Sequence, residues 1–476
     1  MLKKIVNLFP YFLFVFFVYI PINLAQYDMW DGTIIEYAYK IQDFRGLKSW
    51  FFDSGWYFQY FQIIFYFKAA LFFNIKYKLV NDFSILLLGF LLINEVKYIS
   101  INIFNLSKSA TIFSLSLLAV YPAWSTLLSS VLTFYFLCFV FGLMSIRLLH
   151  TKNRFLNFTA IILILFTYNF NSLLSFLPIL SYIYDINSKK NKYYPSYKTV
   201  FIFIISILYY IYFKVVNPPT GLYNNYNVIA LNNESIKLIF KSLLGFMTFL
   251  IIPLFLVIIY KLLNNNIKQQ LFFILILFIA GAIPYIIVGR FVYLFSFKEW
   301  DYRHAILLSL SLPIFFGILY DNIYKLKLIN LLIFSSFILI TLCSLLIKLN
   351  RQKFEIDLIS ALKYHDSIYT NSVIQIIGEG VPFPNFRVYE SNYFYYIGYN
   401  IDNNWVNISN KFNPLFKVPN DILNNENYRL GYILNTNNKP NKNILIRISV
   451  TGYTKPYDMI KNVLNVNRSK SICINE

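Results

Sequence analysis

Five of the chain's 22 acidic residues, Asp28, Asp31, Glu36, Asp43 and Asp53, fall within QYDMWDGTIIEYAYKIQDFRGLKSWFFDSGWYFQ, Gln26 to Gln59. In YDMWDG, Asp28 and Asp31 stand three apart. On a helix that spacing puts two carboxylates on one face, about 5–6 Å apart. Such a pair could hold a divalent cation, or one member could take the proton of an attacking hydroxyl while the other orients it. The same stretch also suits a solvated loop with amphipathic helices lying on lipid. Trp30, Trp50 and Trp56, with the tyrosines around them, fit an interfacial aromatic belt, the commoner use of such residues, and could also stack on sugar rings.

A second polar cluster, GRFVYLFSFKEWDYRH (Gly289 to His304), gathers Arg290, Lys298, Glu299, Asp301, Arg303 and His304 between two apolar runs. A guanidinium fork matches phosphate oxygens and a lysine adds a point charge, so the cluster could clamp a lipid-linked phosphate. Charges at helix ends also snorkel to the membrane surface without further function. A third feature, VNPPTGLYNNYNVIALNNES (Val216 to Ser235), is rich in Asn and Tyr, which suit carbohydrate, though an ordinary loop is the commoner use of such a stretch. Asn169 and Asn171 beside Tyr168, and Glu95 near Lys97, lie in or beside apolar segments, where polar groups line cavities or pair with one another.

The elements that must position these residues are membrane spans. Of the 476 residues, 58% are hydrophobic and 20% aromatic, with 13% charged. That is more apolar surface than a soluble fold can hide, and it implies a polytopic membrane protein. The net charge of +20 comes from basic residues that punctuate apolar runs. Positive-inside topology and contact with anionic lipid explain it, and no nucleic-acid partner is expected. Cys138, Cys343 and Cys473 are too scattered for a disulfide framework or a metal site.

MLKKIVNLFPYFLFVFFVYIPINLA reads as an uncleaved first span, Leu8 to Ala25, with Lys3 and Lys4 in the cytoplasm. Further spans are expected at Tyr57–Phe73, Val80–Ile99, Ser107–Pro122, Thr126–Ser145, Phe155–Phe170, Ser172–Tyr184, Thr199–Val216, Ile239–Tyr260, Leu271–Val288, Ala305–Tyr320 and Leu328–Ile347. Alternation conflicts with this count in the first half. With Asp28 to Asp53 outside and Arg147, Lys152 and Arg154 inside, four crossings cannot separate them. Tyr57–Phe73, interrupted by Lys68, or one of its neighbours is then juxtamembrane or re-entrant. An odd total leaves the N-terminus inside and the C-terminus outside.

After about Leu349 charges, Asn, Gly and Pro return. Ile356–Tyr364 reads as an amphipathic helix, and Ser372–Gly378, Tyr428–Leu434 and Ile444–Val450 as strands. The expected organisation is an all-α multi-span domain, 1–348, with a large first outer loop at 26–58, then a small soluble α/β domain, 349–476. No phosphate-cradling G-x-x-x-x-G-K-[ST], H-E-x-x-H or paired C-x-x-C occurs, which argues against an ATP-driven pump or metalloprotease of those types.

An opening helix followed at once by Asp28 and Asp31, with amphipathic sequence through Trp56, resembles the GT-C superfamily of integral-membrane glycosyltransferases. That resemblance implies 11 to 13 spans and a soluble outer domain. It also implies a sugar donor carried on polyprenyl phosphate and a glycan, lipid or protein acceptor. The D-x-x-D spacing departs from the superfamily's adjacent or D-x-D pairs, and no W-W-D motif is present. On this reading Asp31 is the general base, and Asp28 assists or binds a divalent cation, Mg or Mn. Arg290, Lys298 and Arg303 hold the donor phosphate, with Glu299, Asp301, His304, Trp30 and Trp56 lining the substrate site. The expected location is the bacterial cytoplasmic membrane. An O-antigen-type polymerase, relying on the late arginines, and a non-enzymatic lipid-linked glycan flippase are the alternatives.

Overall fold

The computed structural model describes residues 2–25, 28, 32–42, 44–188, 194–216, 218, 236–237, 239–241, 243, 265–288, 290, 292, 300–322, 327–362, 372–379, 405–409, 442–451 and 471–475. The apolar runs become helices: α1 (Leu2–Phe14), α2 (Ile20–Asn23), α3 (Gly32–Ile41), α4 (Phe44–Asp53), α5 (Tyr57–Phe73), α6 (Tyr77–Asn102) and α7 (Lys108–Ala119). They continue as α8 (Ser130–Leu149), α9 (Arg154–Thr167), α10 (Leu173–Ser188), α11 (Tyr197–Ile211), α12 (Asn265–Ile286), α13 (Leu308–Asn322) and α14 (Lys327–Leu362).

Helices α1 and α2 form one rod through a π-helical segment, Val15–Tyr19. Pro21, at the start of α2, offers no N–H to the turn before it, and the helix widens there. Side chains set several other starts. Ser107 accepts from Ala110 N at α7, Asn153 from Phe155 N at α9, and Ser196 from Thr199 N at α11.

Among the described residues, six helical segments are long and apolar enough to cross a membrane: Val6–Asn23, Tyr77–Asn102, Lys108–Leu128, Ser130–Leu149, Gln269–Ile286 and Leu328–Phe354. Four shorter apolar helices, Arg154–Thr167, Leu173–Asn187, Tyr197–Ile211 and Leu308–Asp321, lie among them. Hydrogen bonds sort the helix ends onto two faces. At the end where α2 delivers the chain, the first-loop face, buried Lys78 at the start of α6 donates to Ile22 O at 3.2 Å and pairs with Asp82. At the opposite face, Asn187 donates to Ile103 O, Gln270 to Phe104 O and Lys198 to Leu149 O. There too Ser107 N donates to Asp321 at 2.7 Å.

Helix α5 has both ends on the first-loop face. Near its start Gln59 donates to Val131 O at the top of α8, and Phe58 packs on Phe166 near the end of α9. Near its end Phe67 packs on Tyr77, the first residue of α6, and Tyr39 in α3 donates to Ile75 O just beyond. Its 17 residues, about 25 Å of helix, therefore run across the mouths of the other helices. The protein side is Gln59, Ile63, Tyr66, Phe67 and Ala70, while Phe58, Phe61, Phe65 and Phe72 are exposed. The parity conflict in the sequence resolves here: Tyr57–Phe73 is the non-crossing element. Helices α11 and α12 both rise toward the first-loop face. Most of the expected Ile239–Tyr260 span, which falls between them, lies outside the described residues.

At the opposite face Glu95 pairs with Arg147 across α6 and α8 at 2.9 Å, so its partner is Arg147 and not the neighbouring Lys97. Asp185 accepts from Ser196 N and Thr199 Oγ1, and His150 stacks on Tyr184 at 4.2 Å, tying α8, α10 and α11 together.

Helix α14 runs without a break through Leu349 and Ile356 to Leu362. The expected amphipathic helix from Ile356 is thus the tail of the last span, and the expected boundary falls inside a helix. Beyond it, β1 (Ser372–Glu379), β2 (Trp405–Ser409), β3 (Lys442–Thr451) and β4 (Ser471–Asn475) pair in the order β2-β1-β3-β4, the last pair antiparallel. The expected strand at Tyr428–Leu434 lies outside the described residues.

If α5 does not cross, cysteines placed singly at Ser49 and Lys76 in a variant without native cysteines react with an impermeant maleimide from one side, and a cysteine at Lys152 from the other. Labelling of Lys76→Cys together with Lys152→Cys would make α5 a crossing helix.

Candidate functional site

Between α7 and α8 the chain does not turn in a solvated loop. Pro122–Leu128 forms a 3-10 turn in which every residue is buried. Backbone at such depth must find its partners inside the protein. Trp124 Nε1 donates to Leu118 O, Thr126 Oγ1 to Ala123 O, and from α14 Thr341 Oγ1 donates to Val120 O.

Asp28 sits beside this turn and is buried, 2% exposed. Its Oδ1 accepts from Ser130 N at 2.9 Å, the first residue of α8, where a helix N-terminus favours negative charge by about 0.3–2 kcal/mol. Its own N–H donates to Glu36 Oε2 at 2.6 Å, and Glu36 is buried on α3. The Tyr77 phenol lies beside both carboxylates and the Ser130 side chain. Gly32 makes this packing possible, because a Cβ there would overlap the Asp28 carboxylate. At the edge of the cluster, burial pushes the Tyr39 phenol up from its ordinary value.

Asp28 precedes α3, which starts at Gly32, and the expected pairing of Asp28 with Asp31 falls on a residue outside the described ones. Asp31, Trp30, Lys298 and Glu299 lie outside the described residues, as does the side chain of Asp301. Among the described residues no three or more His, Cys, Asp or Glu side chains gather in a group that could hold a metal.

The late basic segment also meets this 3-10 turn. Trp300–Ala305 is itself a 3-10 turn packed against Pro122–Leu128, and Tyr121 OH donates to Ala305 O at 2.9 Å. Arg303 Nε donates to Nε2 of buried His304 at 3.3 Å, and the His304 ring lies on Tyr285 at 4.5 Å. Arg290 is exposed just past α12, its N–H bonded to Tyr285 O. Trp56, the residue before α5, meets Tyr135 of α8 edge-on at 6.5 Å.

Residues that drew no attention in the sequence complete the site. Buried Lys348 on α14 donates to Ser125 Oγ at 2.8 Å and to Ser344 Oγ at 3.4 Å. Its signal was a lysine inside the apolar run SLLIKLN. Ser130, Tyr77 and Gln59 gave no signal, because each acts through partners far away in the chain. Asp28, the Arg303 segment and Lys348 thus each meet one buried turn or the residue flanking its end.

The chain matches no protein-family profile, no curated protein and no solved structure.

Gly32→Ala is expected to lower stability in thermal denaturation by about 1–3 kcal/mol, and by clearly less when Asp28 is already alanine. Equal costs in the two backgrounds would mean that Gly32 does not shape the Asp28 pocket.

Proposed function

We propose that the chain is a membrane glycosyltransferase of the GT-C kind, moving a sugar from a polyprenyl-phosphate-linked donor to a glycan, lipid or protein acceptor. The observation that carries this reading is the convergence on Pro122–Leu128: Asp28 binds the N–H of Ser130 just after that turn, and Tyr121 just before it binds the basic turn at Ala305. The acceptor hydroxyl oxygen attacks the anomeric carbon and its proton passes to an aspartate, Asp28 or Asp31. The bond from that carbon to the donor phosphate breaks, and its electron pair leaves on the phosphate oxygen. Arg303, with Arg290 and Lys298, stabilises the departing charge.

Of the two aspartates, Asp28 has the supporting geometry: burial, a fixed hydrogen bond and a neighbouring second carboxylate. A divalent cation, Mg or Mn, held by Asp28 and Asp31 is the other task open to this pair. Activity that survives exhaustive chelation assigns them to proton transfer. In this proposal the first-loop face is the outer one, in a bacterial cytoplasmic membrane, with the N-terminus inside. Arg147, Lys152, Arg154 and Lys198 at the opposite ends of α8, α9 and α11 support that orientation. The strands after Leu362 then belong to a small α/β domain on the outer side.

The test is transfer by the purified protein in lipid nanodiscs, from polyprenyl-phosphate glucose, galactose or N-acetylglucosamine to lipid-linked glycans extracted from the expressing cells. Asp28→Asn is expected to slow transfer about 100-fold or more with membrane insertion unchanged. Arg303→Ala is expected to raise the KM for the donor. Full activity in both Asp28→Asn and Asp31→Asn would remove the base from the mechanism.

A further inference from the structure

On the first-loop face, apart from the Asp28 cluster, a run of contacts closes on itself. Gly55, at φ +76° in the turn between α4 and α5, sits so close to the Phe213 ring that a Cβ would overlap it. Phe213 lies parallel to Tyr209, with centroids 6.4 Å apart and planes at 10°. The Tyr209 hydroxyl accepts from Asn169 Nδ2 at 3.1 Å. The next residue, Phe170, packs on Tyr135 at 4.8 Å, and Tyr135 meets Trp56 beside Gly55.

Three buried amide oxygens, of Asn169 in this circuit and of Gln59 and Asn171 next to it along the chain, have no hydrogen-bond partner among the described residues. Gln59 is 0% exposed and Asn169 2%. The Gln59 amide nitrogen donates to Val131 O at 3.1 Å, which fixes that amide's orientation and leaves its oxygen as the open position. Buried acceptors left unmatched cost free energy and call for a donor.

We propose that the circuit is a saccharide subsite, binding a neutral, polyhydroxylated ring by its hydroxyl donors and its C–H faces. Three acceptor oxygens suit hydroxyl groups. They repel a phosphate, which presents acceptors of its own, and the circuit contains no charged side chain to favour an ion. The aromatic rings give flat apolar surfaces of the kind on which a sugar's C–H face packs. Val131 and Tyr135 lie within five residues of Ser130 on α8, about 7.5 Å of helix, so the subsite is close to Asp28. That the bound saccharide is the acceptor of the transfer rests on the function proposed above.

The test uses the full chain in lipid nanodiscs, free of glycoside detergent, with glucose, galactose, N-acetylglucosamine and rhamnose as probes and inorganic phosphate as control. Melting midpoint and tryptophan fluorescence report binding. At least one sugar is expected to bind saturably, and about tenfold more weakly to Trp56→Ala and Asn169→Ala. Gln59→Leu removes the unmatched acceptor together with the donor to Val131 O, so its unliganded melting midpoint is measured first, and the sugar is expected to bind more weakly to this variant while it still melts cooperatively. No saturable sugar, a response to phosphate alone, or wild-type affinity in Gln59→Leu overturns the subsite. Transfer that is lost in Asp28→Asn, with no sugar bound by the wild type, removes the subsite and leaves the enzyme. Sugar binding without transfer does the reverse.

Discussion

A hydrogen bond from the first N–H of α8 to a buried carboxylate constrains much of the rest. Asp28 reaches Ser130 N only because the chain between α7 and α8 stays inside the bundle as a 3-10 turn and does not emerge as a loop. Irregular backbone inside a protein of this kind must be satisfied by protein groups. The groups that do so, or that pack beside it, come from the opening rod, the late basic turn and the last helix. One buried turn thereby joins residues near positions 28, 125, 303 and 348. Without it, the acidic and basic segments would be separate features of a membrane surface.

The two ends of the bundle differ in how their polar groups are used. At the opposite face the Glu95–Arg147 pair and the Asp185 network join helices to one another, which reads as structure. At the first-loop face several buried oxygens are left over, those of Gln59, Asn169 and Asn171 among them. Unmatched buried oxygens also occur toward the opposite face, at Glu95, Ser100, Thr111 and Ser114, so what sets the first-loop face apart is that its unmatched amide oxygens lie beside aromatic rings. The placement of α5 across the same mouths, with a row of phenylalanines turned outward, lines the approach to it with apolar surface.

Much of the helical framework was legible because apolar run length is a strong signal and helices α6, α8 and α12 follow it closely. Even the non-crossing role of Tyr57–Phe73 was foreshadowed by charges that would not alternate. Some boundaries were not legible. Nothing in the composition near Ile356 separates a surface helix from the continuation of a span, and α14 runs through it. Of the site, Asp28, Arg303 and His304 were visible as rare charges in an apolar chain. Lys348 and Ser125 are 223 residues apart, and Gln59 and Val131 are 72 apart. Such pairings leave no periodicity to read.

The most direct measurement of the central claim is where a lipid-linked sugar touches the protein. A polyprenyl-phosphate hexose carrying a photoreactive diazirine, irradiated with the nanodisc-embedded chain and mapped by mass spectrometry, should label peptides containing Pro122–Leu128 and Trp300–Ala305, with competition by the unmodified donor. Labelling confined to the opposite ends of α8, α10 and α11, or no more labelling than with a photoreactive diacyl lipid, would contradict the account.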